Sequence, residues 1–498
     1  MSHQNKNHYY RTVIQLWVLM LVLNSPFLSA STETRLHLQQ RIEQNIKQNE
    51  HSIVADAARD SAKPSSFTIN GQQIQVNNNV HELGQAVYFL IQHKQWPAAQ
   101  NLLSRYVALE NYDVMLVHYA QGAIARSAGR LNEAEQQHLV VLAQQQDFLP
   151  SQLELARVLF DNNKNTDALI LFEHIAEQLP NDNPKVDGVR HTVNSFIDAL
   201  NYRQAWRGSF SLGPSLSDNL NQSSQSYTCL LWLPTEECLI ERKTPPEISG
   251  EGVDFDANIS KRFTFSGHHG LSFRGLAYGS NYLNNSEYNE HTVIASLGYS
   301  YQTAYEQFSA SGQFKYNALG NSTLYSAAGI KLDWLKNLSK KLNIKLELEI
   351  EQQSYQPQHY SYQSGTQLAN YNTLWYQLNE QWLLFGGLDY SKKNNSEQVH
   401  AYQLFSSRFG VNKRWGNGAE ATLFASLRAR KYEQYSALLA HKRKDLEQNY
   451  TLIVSMPSLA VFSMTPVFTL NHITVNSNVD WLYSYDKNTV SLKFEKIF

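Results

Sequence analysis

From Trp206 onward the chain alternates. Val253, Phe255, Ala257 and Ile259 interleave with Asp254, Asp256, Asn258 and Ser260. Leu342, Ile344, Leu346, Leu348 and Ile350 interleave with Asn343, Lys345, Glu347, Glu349 and Glu351. Ala421, Leu423, Ala425, Leu427 and Ala429 interleave with polar positions from Glu420 to Arg430, with Phe424 the exception. Successive side chains of a strand point to opposite faces, so each run has one apolar and one charged face. The chain ends the same way. Val490, Leu492, Phe494 and Phe498 share a face, Ser491, Lys493 and Glu495 take the other, and only Lys496 and Ile497 break the pattern. Each run is about the 9–11 residues that carry a tilted strand across a bilayer. A charged face cannot meet lipid, so it lines a wet interior and the apolar face lies outside.

Roughly fourteen such strands can be placed, an even number as single-chain outer-membrane barrels use. They lie near 205–216, 252–265, 270–280, 291–301, 304–317, 323–335, 340–352, 369–379, 382–390, 400–413, 419–432, 446–456, 463–475 and 489–498. Their connections mostly alternate between short and long; 318–322 is short where a long one is due. An ordinary sandwich would share the strand pattern but gives no reason for the alternating loops, whereas a barrel with short periplasmic turns and long outer loops does. The last strand then closes the barrel against the first. Trp206 at the entrance and Phe494 and Phe498 at the end are the residues expected at that closure.

Between His81 and Tyr202 the period becomes helical. The segment also repeats. Gly129-Arg130-Leu131-Asn132-Glu133-Ala134 matches Asn163-Lys164-Asn165-Thr166-Asp167-Ala168, and Ala86 matches Ala120 at the same 34-residue offset. That period, with small residues inside each helix pair, is the tetratricopeptide signature. Three pairs near 81–107, 113–146 and 150–179 and a capping helix near 185–202 are expected. Such stacks present a concave surface suited to a polypeptide. A generic solenoid without a partner has the same pattern. The domain enters strand one from the short-turn side, which puts it in the periplasm.

The N-terminus fixes the compartment. Lys6 and Arg11 precede an apolar run from Val13 to Leu23, and Ser29-Ala30-Ser31 follows, the order of a secretory signal peptide over residues 1–30. Residues 31–80 read as a polar linker, with a helix from Arg35 to Lys47 and a short hairpin around Asn70-Gly71. The net charge of −2 offers nothing to nucleic acid. With 28 Tyr and 22 Phe, aromatics are plentiful enough for interfacial girdles. Cys229 and Cys238 are the two cysteines, and after a signal peptide an even count fits one disulfide. They sit in the longest outer loop, where a bridge would either stiffen the loop or present Leu230-Leu231-Trp232-Leu233-Pro234 as an apolar contact. Ser223 to Pro246 is a further candidate, as a loop folded inward. His268-His269 reads as turn polarity, and the loop histidines His359, His400 and His441 have no nucleophile or acid at catalytic spacing. No catalytic residue, metal site or cofactor is expected.

The order of parts resembles the surface lipoprotein assembly modulators, the translocators of the type XI secretion system. The resemblance rests on Trp206–Pro214 with Asp218-Asn219-Leu220-Asn221, on Thr465-Pro466, Ser477-Asn478 and Tyr483–Asn488, and on Tyr119–Gly122 and Leu153–Ala156 in the helices. It implies export of a periplasmic cargo protein to the surface or medium. Family cargos are lipoproteins or soluble, haemophore-like proteins with a small C-terminal barrel domain, and the resemblance brings in periplasmic chaperones, the barrel assembly machinery and outer-membrane lipid as partners.

The fold expected is therefore α + β and multidomain. A tetratricopeptide-like α-solenoid over 81–203 precedes a 14-stranded antiparallel transmembrane β-barrel over 204–498. The function expected is cargo translocation across the outer membrane, without enzymatic activity. The rivals are a gated solute channel with a docking domain and a rim enzyme. Deleting residues 31–200 separates the translocator from the channel, because a channel would keep conducting while a translocator would lose cargo export.

Overall fold

The computed structural model describes residues 79–180, 186–232 and 238–498. The expected signal peptide, the helix from Arg35 to Lys47 and the hairpin around Asn70-Gly71 lie outside them.

Among the described residues seven helices precede the sheet: α1 Val80–Gln92, α2 Trp96–Val107, α3 Val114–Ser127, α4 Leu131–Gln144, α5 Leu149–Asp161, α6 Asn165–Gln178 and α7 Asp187–Gln204. They form three antiparallel pairs and a cap. Asn79 caps α1 by accepting from the Glu82 amide, and Asp113 caps α3 by accepting from Met115 and Leu116. Pro97 and Pro150 open α2 and α5, where a missing amide costs nothing. Ala99, Ala134 and Ala168 recur at about one repeat spacing on the second helix of each pair, and all are fully buried. A larger side chain there would push the paired helices apart. One core gathers Leu83, Val87, Leu103, Tyr106, Val117 and Ala120; another gathers Leu155, Ala156, Phe160, Phe172, Ile175 and Leu200.

The sheet that follows is a closed barrel of fourteen antiparallel strands. They are β1 Arg207–Ser217, β4 Gly250–Thr264, β5 His269–Tyr282, β6 Glu290–Gln302, β7 Glu306–Leu319, β8 Ser322–Asn337 and β9 Leu342–Tyr355. The rest are β10 Gly365–Asn379, β11 Trp382–Asn395, β12 Tyr402–Arg414, β13 Glu420–Tyr432, β14 Lys444–Ser455, β15 Thr465–Ser477 and β16 Tyr485–Ile497. Every strand pairs with its neighbours in sequence, and β1 closes on β16. Among the described residues no helix is long and apolar enough to cross a membrane.

Burial follows the alternation. On β9, Lys345, Glu347, Glu349 and Glu351 are buried while Ile350 is exposed. On the outside, Ile330, Leu388, Phe409 and Leu423 are all more than half exposed. A barrel with its charges inside and its isoleucines and phenylalanines outside is solvated by lipid.

Three details differ from expectation. The last strand begins at Tyr485 rather than Thr489, because a single turn of helix, α8 Asp480–Tyr483, replaces most of the loop before it. The longest loop contains an extra hairpin, β2 Tyr227–Trp232 with β3 Cys238–Lys243. Trp206 lies one residue before β1 and packs edge-on with Phe263 and Phe273 of β4 and β5. It therefore sits on the side of β1 away from β16, outside the closing ladder.

Candidate functional site

The first helices of the three pairs, α1, α3 and α5, lie side by side. Across them runs a connected polar line. The Gln92 amide donates to the Tyr119 hydroxyl at 3.3 Å, and the Tyr88 and Tyr119 rings are 6.1 Å apart. Arg126 reaches Glu154 at 3.1 Å and Asp161 at 2.9 Å, and Arg157 reaches Glu154 at 2.6 Å. Burial disfavours ionised Glu154, but the two guanidiniums outweigh it and hold the carboxyl below its usual range. Burial raises the Tyr119 pKa, so this hydroxyl stays protonated. Two arginines and two acids balance, leaving a near-neutral strip.

Behind the strip, His138 of α4 is fully buried. Its Nδ1 lies 3.1 Å from Ser151 Oγ, its ring packs against Tyr119, and its Nε2 has no partner and faces Gly122. A Cβ at Gly122 would fall 2.6 Å from Nε2, so the glycine is what admits the ring.

The helical domain is fastened to the barrel by its inter-helix turns. Gly129 and Asn163, 34 residues apart in the repeat, both adopt positive φ. Gly129 carbonyl accepts from Tyr305 hydroxyl at 2.6 Å, and Asn163 Nδ2 donates to Thr303 carbonyl at 2.8 Å. Thr166 meets Thr264 at 2.8 Å, and Asp167 accepts from the Gly267 amide at 2.8 Å. Ala304 packs on Ala125, Leu131, Ala134 and Val158. These contacts use the β4–β5 and β6–β7 turns and the end of β4, on the short-turn side. The polar strip thus lies to one side of the barrel mouth.

Inside the barrel, charges pair along the walls. Lys331 contacts Glu347 at 2.7 Å, Asp333 at 3.3 Å and Glu349 at 3.5 Å, and Lys315 contacts Glu351 at 2.6 Å. Arg408 holds Asp389 with two bonds, at 2.6 and 2.7 Å, and Arg428 meets Glu447 at 3.0 Å. These side chains are packed, not splayed into water. Nor is the lining uniformly polar. Phe424, the residue that breaks the β13 alternation, turns inward and packs with Trp375 and Phe385, flanked by Leu335 and Leu383. The lumen therefore has an aromatic patch toward its periplasmic end, which the sequence marked only by one irregularity.

The outer mouth is covered. The segment after β1 folds inward: Asn219, Leu220, Asn221, Gln222 and Ser223 are all buried. Leu220 amide donates to Ile248 carbonyl at 2.6 Å, Asn219 Nδ2 to Asp486 carbonyl at 2.8 Å, and Ser226 to Trp481 carbonyl at 2.6 Å. Gln222 enters a pocket lined by Arg428, Arg430, Arg443, Tyr483 and Tyr485. Cys229 and Cys238 form a disulfide in the β2–β3 hairpin above this cover, where Tyr227, Leu230 and Leu231 are exposed. Phe494 pairs with Leu212 across the seam, and the Phe498 and Gly208 backbones exchange bonds of 2.9 and 3.0 Å. Among the described residues no three His, Cys, Asp or Glu side chains form a metal-binding group.

A lipid-solvated barrel with a charged, covered lumen and a repeat domain at its periplasmic mouth defines a class: outer-membrane transport proteins. The relatives narrow it. Residues 206–498 match the family model described as surface lipoprotein assembly modifier, and residues 69–172 match that family's N-terminal TPR repeats. The chain is 37% identical to a hemophilin secretion modulator from Acinetobacter baumannii, over 96% of this chain and 98% of that one. It is 27% identical to surface lipoprotein assembly modifier 2 of Haemophilus influenzae, over 80% of this chain and 81% of that one. It is 24% identical to surface lipoprotein assembly modifier 1 of Neisseria meningitidis serogroup B, over 97% and 96%. The chain belongs to the surface lipoprotein assembly modifier family. It is an outer-membrane translocator for a cargo protein, and a solute channel is not favoured. The family is one of secretion and assembly modulators rather than of enzymes.

Proposed function

We propose that the cargo is a soluble secreted protein of the hemophilin kind, rather than a lipoprotein retained on the surface. The observation that carries this is the 37% identity, nearly end to end, to a hemophilin secretion modulator, against 20–27% for relatives named as surface lipoprotein assembly modifiers. In this reading the strip from Gln92 to Asp161 receives the cargo in the periplasm and the barrel gives it passage. Periplasmic chaperones deliver the cargo unfolded, the barrel assembly machinery inserts the translocator, and lipid seals the barrel. No nucleotide motif is present, so the free energy comes from binding and from cargo folding outside. Residues 1–30 act as a signal peptide, and 31–80 link it to the helical domain. The Cys229–Cys238 bridge stiffens the outer hairpin.

The test is co-expression with two cargos, one soluble and haem-binding, one lipidated. The soluble protein should reach the medium, and removing residues 31–200 should stop its export while the barrel still inserts. Export of the lipidated protein alone would refute the cargo class.

A further inference from the structure

The fourteen strands are not joined equally. β1 pairs with β4 without a gap from Arg207 to Ser217. With β16 it pairs over Ser209–Leu212 and Ser215–Ser217 but skips Gly213 and Pro214. Breaks in other barrel pairings fall beside turns, at Asn317/Ala318 and Gln377/Asn379. The cause is chemical. Gly208 and Phe498 exchange backbone bonds, so every second residue from Gly208 directs its amide toward β16. Pro214 falls on that series and has no amide hydrogen to give. A proline inside a closing ladder is out of place in a tube built only to stay shut.

The inner face of the same strand is unusually slight. Ser209, Ser211, Gly213, Ser215 and Ser217 point inward, where other strands carry paired charges. Over this low row Lys493 of β16 reaches Asp256 of β4, and Ser211 donates to the same carboxylate. The ion pair spans β1 like a clasp. The outer cover is divided along the same line. One half, from Asp218 onward, continues β1; the other, α8, leads into β16. They meet through Asn219 on Asp486, Ser226 on Trp481, Asp218 on the Asn488 amide at 2.6 Å, and Arg242 4.2 Å over the Trp481 ring. Parting β1 from β16 therefore also parts the cover.

We propose that cargo leaves through this seam: β1 and β16 separate, the cover splits with them, and an extended stretch of cargo pairs with the freed strand edges. The fitting partner is a strand with small or polar residues on one face and apolar ones on the other, matching the serine row and the lipid-facing Phe210, Leu212 and Leu216. This rests on the translocator reading and adds the route.

Two cysteine pairs test it in full-length protein within proteoliposomes supplied with chaperone-bound soluble cargo. Ser215→Cys with Ser491→Cys locks the β1–β16 seam at a pair that faces inward and exchanges no backbone bonds. Ser300→Cys with Ser309→Cys places an equivalent lock between β6 and β7. The oxidised seam lock should cut cargo translocation at least tenfold, recovering on reduction, while the β6–β7 lock exports like the unmodified chain. Pro214→Val, which restores a donor, should slow export several-fold without cross-linking. Full export through a seam shown by gel shift to be locked would overturn the lateral route and leave the translocator standing. No export by the unmodified chain would instead refute the translocator reading itself.

Discussion

Lowering the pH from 7 to 5 should loosen the helical domain through one side chain. His138 has no solvent exposure, and its Nε2 has no acceptor for a second proton. Burial pushes its pKa down to about 4 from 6.5; Glu154 pulls it up and Arg126 pushes it further down, both less strongly. The unfolded chain thus takes up its proton near 6.5 and the folded chain only near 4. Between those values the unfolded state binds more protons, so stability falls as pH falls, until both states are protonated. From pH 6.5 to 5 the loss is about 2 kcal/mol, at about 1.4 kcal/mol per unit. The assay is urea unfolding of the full chain in detergent, followed at 222 nm where the helices dominate, at pH 7 and pH 5. His138→Asn keeps a polar group near Ser151 but cannot charge. It should be less stable at pH 7 and lose about 2 kcal/mol less than the native chain on acidification. Equal losses in both proteins would refute the assignment to His138.

Other consequences follow from packing and pairing. Gly122→Ala gains about 1 kcal/mol of helix propensity but drives a Cβ into the His138 ring, an overpacking cost of about 1–3 kcal/mol; the 222 nm transition should move to lower urea. Lys331→Met leaves Glu347 and Asp333 facing one cation fewer and should destabilise the barrel by about 3 kcal/mol, read as a lower temperature for loss of the compact form on cold-to-boiled gels. Tyr305→Phe combined with Asn163→Ala removes two domain–barrel bonds, each worth about 1 kcal/mol. Hydrogen exchange at the 129 and 163 turns should quicken and export should fall, with barrel insertion unchanged.

Much of the barrel was legible because a membrane allows so little. Lys345 and Glu347 cannot face lipid, so alternation alone assigns inside and outside on β9. The repeat was legible because Gly129 and Asn163 hold the same turn conformation at one spacing, although their second use, docking on Tyr305 and Thr303, left no local mark. What remained hidden depends on residues distant in sequence. Nothing near Asn219–Ser226 tells that its partners are Asp486 and Trp481, since such polar stretches suit an exposed loop equally well. Phe424 was visible as an irregularity, but its companions Trp375 and Phe385 sit on strands whose own inward positions had not been fixed. Trp206 was placed at the closure because it opens the alternating region; the structure turns it toward β4 and β5 instead. Of the polar strip, the helices were foreseeable but the Arg126–Glu154–Arg157 line was not, because it needs two helices in register.

The most direct measurement places the full chain in liposomes, presents a chaperone-bound soluble cargo on the side of the helical domain, and follows that cargo with protease added to the opposite side. Cargo that becomes cleavable only when the translocator is present, and no longer when residues 31–200 are removed, is the expected result. Cargo whose protection is the same with and without the full-length protein would contradict transport through it.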